Sequence, residues 1–205
     1  MTALQSLDAS DLACVRGART LFRGLSFSLR AGDALTVEGP NGAGKTSLLR
    51  MIAGLLPQAA GTIRFATDRA SLEDGEERGH MVGFLAHHDA IKSQLTAIEN
   101  LRFFASLYAA RADTESALRD VGLTAAAELP GRYLSAGQKK RLALARLKIS
   151  NRPLWLLDEP LSALDAQGRA LAAATIAAHC ASGGIAIAAT HEPLGLDCAK
   201  LRLGS

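Results

Sequence analysis

The chain has 205 residues, of which 48% are hydrophobic, 21% charged and 4% aromatic, and its formal net charge is +3 at pH 7. This composition is typical of a soluble globular domain and excludes collagen-like and disordered chains, while three widely spaced cysteines (Cys14, Cys180 and Cys198) exclude a disulfide framework and a zinc cluster. No secretory signal and no stretch of about 20 strongly apolar residues is found, so we expect no membrane span in this chain.

Short β-type runs alternate with helical segments along the chain. Strands are predicted at 25–29, 34–38, 61–66, 153–157 and 185–189, with a short apolar run at 81–86. Helices are predicted at 45–55, 96–111, 113–121 and 136–150, followed by an Ala-rich helix before the last strand. Thr96 is the predicted N-cap of the second helix, with Glu99 as its capping-box partner, and the polar segment 67–79 is predicted to be an exposed loop. Nearly continuous apolar strands between helices indicate a mostly parallel sheet covered on both faces.

The strongest local signal is a G-x-x-x-x-G-K-[ST] motif between a predicted strand and a predicted helix. Its glycines let the backbone curl so that N–H groups surround phosphates, a lysine adds positive charge, and a threonine hydroxyl is available to Mg²⁺. The alternative, a glycine-rich surface turn, is disfavoured by this context. We therefore expect a phosphate loop made of Gly39, Pro40, Asn41, Gly42, Ala43, Gly44, Lys45, Thr46 and Ser47.

A pair of carboxylates follows the apolar strand at 153–157. Asp158 is a candidate Mg²⁺ ligand together with Thr46, and Glu159 is a candidate general base for water attack on a γ-phosphate. Two adjacent acids at a strand end are also a common helix N-cap. The presence of the phosphate loop favours the catalytic interpretation.

Three further motifs resemble those of the ATP-binding cassette (ABC) family. The segment Leu134-Ser-Ala-Gly-Gln138 is similar to the family's signature motif, commonly LSGGQ, with Ala136 at the first glycine position. Residues 162–165 resemble its D-loop, and Thr190-His191 resembles its switch histidine. A small-molecule kinase has no reason to carry these motifs, and DNA-repair or translation cassettes need a longer chain.

This resemblance implies an α/β fold. It consists of a P-loop NTPase (RecA-like) core with a mostly parallel sheet, an N-terminal antiparallel β part, and a helical insert over about 90–150 that carries the signature motif. Residues 1–205 would form one nucleotide-binding domain. The implied cofactors are ATP and Mg²⁺.

The resemblance also implies that ATP is sandwiched between two copies of the chain. Glu159 would be the catalytic carboxylate, His191 would contact the γ-phosphate, and Asp165 would lie at the boundary between the copies. The phosphate loop of one copy would face the signature residues of the other, which are Ser135, Ala136, Gly137 and Gln138.

Two positions depart from the family pattern. His88 stands where the family usually has a glutamine that touches Mg²⁺, and a neutral imidazole can still bind a water or a metal ion. Arg16 stands where the family has an aromatic residue that stacks on adenine, and a guanidinium plane can also stack on a base. Phe22 is the alternative for this stacking role.

Flanking residues at 14–22, 41–49, 90–104, 134–147 and 189–194 resemble the ATP-binding subunits of bacterial cytochrome c biogenesis (haem exporter) systems. This implies integral membrane partner subunits and a peripheral location on the cytoplasmic face of the bacterial inner membrane. ATP hydrolysis would drive haem export or the release of a haem-loaded chaperone; a transporter of another small molecule or of lipid is the alternative. Ile91 and Leu95 are the candidate contacts to the membrane partner, and no nucleic-acid partner is expected.

Overall fold

The computed structural model describes residues 3–86, 90–108 and 112–204. Within these ranges it contains nine strands and six α-helices. In chain order they are β1 (Leu4–Arg16), β2 (Arg19–Arg30), β3 (Ala34–Glu38), α1 (Lys45–Ile52), β4 (Ala60–Thr67), β5 (Ser71–Leu72), α2 (Gly75–Gly79), β6 (Val82–Leu85), α3 (Ala97–Leu107), α4 (Thr114–Asp120), α5 (Ala136–Ser150), β7 (Leu154–Asp158), α6 (Ala166–Ala181), β8 (Ile185–Ala189) and β9 (Ala199–Arg202).

The strands form two sheets. An antiparallel sheet has the order β2-β1-β4-β5, and a five-stranded sheet has the order β6-β7-β8-β3-β9 with parallel pairing throughout. The predicted α/β fold with a mostly parallel sheet and an N-terminal antiparallel part is therefore confirmed. The predicted bounds of β3, β8 and α5 are confirmed as well.

The parallel sheet is buried on both faces, as its apolar strands predicted. Along β7, Trp155 and Leu157 face one hydrophobic cluster, while Leu154 and Leu156 face the other. The first cluster includes residues of α3, α4, α5 and α6, and the second includes residues of α1 and of the antiparallel sheet. The sheet is thus held between a helical layer and a layer made of α1 and the antiparallel strands.

The capping box predicted for α3 is present. Thr96 Oγ1 accepts a hydrogen bond from the N–H of Glu99 at 3.3 Å, and Glu99 Oε2 accepts one from the N–H of Thr96 at 2.8 Å. The hydrogen bonds from Thr96 also lower the pKa of the Glu99 carboxyl. Among the described residues, no helix is both long and apolar enough to cross a membrane.

The segment 67–79 is mostly exposed, as predicted, but the prediction that it is a loop is wrong. This segment contains β5 and α2, and Asp74 caps α2. Arg78 is only 2% exposed because its guanidinium lies over the Phe65 ring, 5.6 Å from the centroid, and this burial lowers its pKa. Arg78 thus packs against the hydrophobic core, although the segment around it is polar.

The helix predicted at 45–55 ends earlier, at Ile52. Gly54 has φ of +75°, which turns the chain out of the helix, and it lies directly against the backbone of Gly75 at the start of α2. A methyl group at Gly54 would overlap with the Gly75 carbonyl oxygen. This close approach fixes the relative positions of α1 and α2.

We expect Gly54→Ala to lower the free energy of unfolding by about 2–4 kcal/mol, because it combines an unfavourable φ with a backbone overlap. Gly183→Ala is the matched control, since Gly183 has a φ of +90° but open space around it. The control should cost about 1 kcal/mol from backbone strain alone. Urea denaturation of both variants measures the difference, and equal costs would contradict the close packing of α1 on α2.

Candidate nucleotide-binding and catalytic site

The phosphate loop connects β3 to α1 at the carboxyl edge of the parallel sheet. Gly44, the N-cap of α1, has φ of +104°, and a side chain there would lie 3.1 Å from the Phe22 ring. Pro40 closes a turn by accepting a hydrogen bond from the N–H of Ala43 at 3.2 Å. The loop is therefore packed from below by β2, and its backbone conformation requires glycine at the last position before the helix.

The amino end of α1 has no side-chain cap and no acidic residue in its first turn. The five other α-helices of the described ranges each have a capping side chain. The unpaired N–H groups and the positive end of the helix dipole at α1 therefore suit an anion such as a phosphate. The capped helices have their N-caps at Asp74, Thr96, Asp113, Ser135 and Asp165.

Lys45 is buried, at 8% exposure, and its ammonium group points back over the loop. Its Nζ donates to the carbonyl oxygens of Gly39 at 2.7 Å and Pro40 at 3.3 Å, and it lies 3.0 Å from His191 Nε2. Two of the three donors of the ammonium group are therefore used by carbonyl oxygens of the loop. The positive charge is thus held at the phosphate loop.

Thr46 and Asp158 meet as the predicted magnesium pair. Thr46 Oγ1 donates to Asp158 Oδ2 at 2.9 Å, and Asp158 is the last residue of β7 and buried. Hydroxyl and carboxylate oxygens suit Mg²⁺, which usually keeps only one or two protein ligands and completes its shell with phosphate oxygens and water. In the part of the chain that the structure describes, no group of three or more His, Cys, Asp or Glu forms a metal cluster. The donor set therefore fits a metal ion carried with a nucleotide.

Glu159 and His191 lie over the same edge of the sheet. Glu159 has φ of +50°, an uncommon conformation for a residue with a side chain, and its N–H donates to the Ala189 carbonyl at 2.8 Å. Its Oε1 lies 3.7 Å from His191 Nε2, which is also 3.2 Å from Asn41 Oδ1. Strained residues held by their surroundings concentrate at functional sites. The structure thus brings the two predicted catalytic side chains together with the phosphate loop.

Ser47 and Ala43 complete the description of the loop. Burial raises the pKa of the Cys14 thiol, and the nearby Ser47 hydroxyl partly offsets this shift. Ala43 is buried in the second hydrophobic cluster, whereas Ser47 is half-buried. Ala43 therefore attaches the loop to the protein interior.

The signature segment forms the start of α5. Ser135 is the N-cap, with its Oγ accepting from the N–H of Gln138 at 3.1 Å and its own N–H donating to Gln138 Oε1 at 2.8 Å. Ala136 is an exposed residue in the first helical turn, a position that tolerates alanine as well as glycine. At Gly137, a side chain would lie 2.8 Å from the Ala163 carbonyl oxygen. The start of α5 is therefore packed closely against residues 162–165, which we call the D-loop turn.

Asp165, at the end of the D-loop turn, caps α6. Its Oδ1 accepts a hydrogen bond from the N–H of Gly168 at 2.7 Å, and the residue is exposed. Among the described residues, no hydrogen bond or ion pair links 135–138 to the phosphate loop of the same chain. The signature segment and the D-loop turn thus present a separate exposed surface.

The base-stacking candidates occupy different environments. Phe22 is buried beneath Gly44, whereas Arg16 is exposed at the end of β1. Arg19, which pairs with Arg16 across the hairpin, brings its Nη1 to 4.0 Å from where a side chain on Gly42 would begin. Arg19 was not among the predicted site residues. It lies two residues before Leu21 and therefore on the same face of β2, the face that packs against the loop, and this alternation could have indicated it.

His88 falls outside the described residues. Ile91 and Leu95 are partly buried, and the segment between them is tied to α3 by the buried Asn100, whose Oδ1 accepts from the N–H of Lys92 at 2.8 Å and whose Nδ2 donates to the Leu95 carbonyl at 3.1 Å. Asn100 is another residue that sequence reasoning missed, because its role depends on contacts made after folding.

The chain is similar to known proteins in sequence and in fold. The family described as ABC transporter matches residues 22–162. The chain is 48% identical over 204 residues to the cytochrome c biogenesis ATP-binding export protein CcmA of Rhodopseudomonas palustris (strain HaA2), covering 97% of this chain and 98% of that one. It is 49% identical over 205 residues to the protein of the same name from Nitrobacter winogradskyi, with the same shares covered. A solved structure from Pyrococcus furiosus, described as an ABC transporter ATP-binding protein, has the same fold, with a TM-score of 0.83 at 23% identity over 97% of this chain and 98% of that one.

We expect Lys45→Ala to weaken MgATP binding by about 10- to 100-fold, because it removes charge-assisted hydrogen bonds worth about 1.5–3 kcal/mol. Lys148→Ala is the matched control: Lys148 is a lysine of α5 that pairs with Asp120, away from the phosphate loop. Titration calorimetry gives both dissociation constants. Equal affinities for the two variants would rule out a phosphate-binding role for Lys45.

Proposed function

Because the chain belongs to the ABC transporter family and, within it, to the cytochrome c biogenesis ATP-binding export proteins, we propose that it is the ATP-hydrolysing subunit of a cytochrome c biogenesis exporter. The observation that carries this proposal is the convergence of Lys45, Thr46, Asp158, Glu159 and His191 around the uncapped end of α1. Residues 1–205 act as one nucleotide-binding domain, with 90–150 as the helical insert.

ATP binds with its β- and γ-phosphates at the N–H groups of the phosphate loop and of α1, where the Lys45 ammonium adds positive charge. Thr46 and Asp158 would hold Mg²⁺, which would supply positive charge beside the phosphate oxygens. Glu159 accepts a proton from the water that attacks the γ-phosphorus, while the bond to the ADP oxygen breaks. His191, now 3.0 Å from Lys45, is within reach of the γ-phosphate and donates a hydrogen bond to it.

Hydrolysis requires a second copy of the chain. The signature residues 135–138 are exposed or partly exposed and lie apart from the phosphate loop of their own chain, which supports a role across a dimer interface. Their helix end and hydroxyl group supply donors to the γ-phosphate bound by the other copy. Asp165, exposed beside them, contacts the partner copy at this interface.

Integral membrane subunits are the other proposed partners, with the chain held peripherally at the cytoplasmic face of the bacterial inner membrane. Tyr133 is 63% exposed and follows Gly131, whose N–H donates to the Leu95 carbonyl, so an exposed aromatic side chain lies near Leu95 and supports an apolar contact there. Ile91 and Leu95 contact the membrane subunit. The coupled step is haem export or release of a haem chaperone, and transport of another small molecule or of lipid is the alternative.

Two assignments complete the proposal. His88 takes the place of the glutamine that the family uses near Mg²⁺, through a ring nitrogen that binds a water or the ion. Arg16 stacks its guanidinium on adenine, with Phe22 excluded from the base by its burial under Gly44. Both roles belong to the nucleotide site of a single copy.

We expect Glu159→Gln to lower the rate of ATP hydrolysis by about 10²- to 10⁴-fold, because the amide cannot accept the proton from water. ATP affinity should change little, since the variant keeps the size and hydrogen-bonding reach of the side chain. Glu115→Gln, an exposed substitution on α4, is the control. Phosphate release assays on the assembled complex measure turnover, and a Glu159→Gln rate equal to that of the control would disprove the base assignment.

We expect Ile91→Glu and Leu95→Glu to abolish assembly with the membrane subunit, since a charge at an apolar contact is costly to desolvate. ATP binding by the isolated chain should be retained. Leu55→Glu, at an exposed leucine after α1, is the control and should leave assembly intact. Co-purification with the membrane subunit is the readout, and wild-type recovery of both Ile91→Glu and Leu95→Glu would refute this contact.

A further inference from the structure

Arg169, in the first turn of α6, joins two separate turns of the catalytic edge. Its Nη1 lies 2.9 Å from Glu192 Oε2, and its Nη2 lies 3.3 Å from Glu192 Oε1. Its Nε donates to the Leu164 carbonyl oxygen of the D-loop turn at 3.1 Å. A two-pronged arginine–carboxylate pair fixes orientation as well as distance, which a single contact from a lysine does not.

Glu192 directly follows His191, and we call residues 190–192 the switch turn. The N–H of Glu192 donates to Thr190 Oγ1 at 2.9 Å, and Thr190 Oγ1 donates to the Glu192 carbonyl at 3.1 Å. Thr190 directly follows β8 and is buried, and its N–H donates to the Val37 carbonyl. The switch turn is therefore anchored at its start by buried Thr190 and at its end by Arg169.

The D-loop turn is in contact with the signature helix on its other side. The Ala163 carbonyl oxygen approaches Gly137 so closely that a side chain there would lie 2.8 Å from it. Leu164, whose carbonyl accepts from Arg169, is buried in the first hydrophobic cluster. A continuous set of contacts thus runs from Gly137 through the D-loop turn and Arg169 to the switch turn.

We infer that Arg169 is a positioning residue that holds the switch turn against the D-loop turn and thereby sets the place of His191 above Lys45. Its effect on turnover rests on the proposed function, in which the D-loop turn contacts a second copy. When that contact moves the D-loop turn, the guanidinium transmits the movement to Glu192 and His191. Arg169 itself touches no nucleotide.

Hydrogen exchange of the full chain without nucleotide tests the positioning role independently of catalysis. Arg169→Ala should speed exchange of the amides in 190–194 by about tenfold, because the switch turn can then open without breaking the ion pair between Arg169 and Glu192. Arg169→Lys should give an intermediate rate. Arg64→Ala is the matched control, since Arg64 and Glu73 form an ion pair at 2.7 Å with similar side-chain exposure (55% and 54%, against 50% and 37% for Arg169 and Glu192). Unchanged exchange in Arg169→Ala overturns the inference.

Steady-state ATP hydrolysis then tests the consequence for turnover. Arg169→Ala should lower kcat by about tenfold with KM for ATP nearly unchanged, as misplacement of a catalytic group predicts. Arg169→Lys, which keeps a cationic donor at this position, should lose less than Arg169→Ala, whereas Arg64→Ala should have no effect. A wild-type kcat in Arg169→Ala, or an equal loss in Arg64→Ala, overturns the inference. These rates are measured on the assembled complex. A wild-type complex that fails to hydrolyse ATP would instead contradict the proposed function, while the hydrogen-exchange result still decides the role of Arg169.

Discussion

The amino end of α1 has no capping side chain, and the other residues of the site lie around its free N–H groups. A side-chain cap stabilises a helix by about 1 kcal/mol, so its absence lowers the stability of α1 by a similar amount. Phe22 packs against Gly44, the residue with a left-handed backbone conformation at the end of the loop. Lys45 is held above by two carbonyl oxygens of the same loop. The result is a preformed set of donors for a highly charged anion.

The order of the parallel strands explains how residues distant in sequence meet at the amino end of α1. Strands β7, β8 and β3 are neighbours, so their carboxyl ends lie side by side. The phosphate loop follows β3, Asp158 ends β7 with Glu159 directly after it, and His191 follows β8. In parallel sheets, ligands bind outside these carboxyl ends. One topological feature therefore brings together a loop, two carboxylates and an imidazole that are up to 152 residues apart in the chain, as the positions of Gly39 and His191 show.

Stability and function draw on different parts of this molecule. The unfavourable φ of Glu159 costs on the order of 1 kcal/mol and is maintained by the hydrogen bond from its N–H to Ala189. The hydrophobic clusters on the two faces of the sheet supply the opposing stability, since their strand residues are almost fully buried. The site can therefore hold an uncapped helix and a strained carboxylate without losing its shape.

Local sequence signals predicted the parts of the structure that depend on local interactions. The phosphate-loop motif, the Thr96 capping box and the apolar runs of β3 and β8 each contain enough information within a few residues. Strand β1 was missed because its register shifts between Ala9 and Val15 break the two-residue alternation. Arg78, Asn100 and Arg169 could not be selected from sequence, because each takes its role from partners that folding brings close.

The free N–H groups of the phosphate loop and of α1 are expected to bind the phosphates of ATP. Hydrogen exchange of the full chain with and without MgATP measures this directly. We expect strong protection of the amides in 42–47 on addition of MgATP, with no change around Lys148 in α5. Exchange in 42–47 that does not respond to saturating MgATP would contradict this expectation.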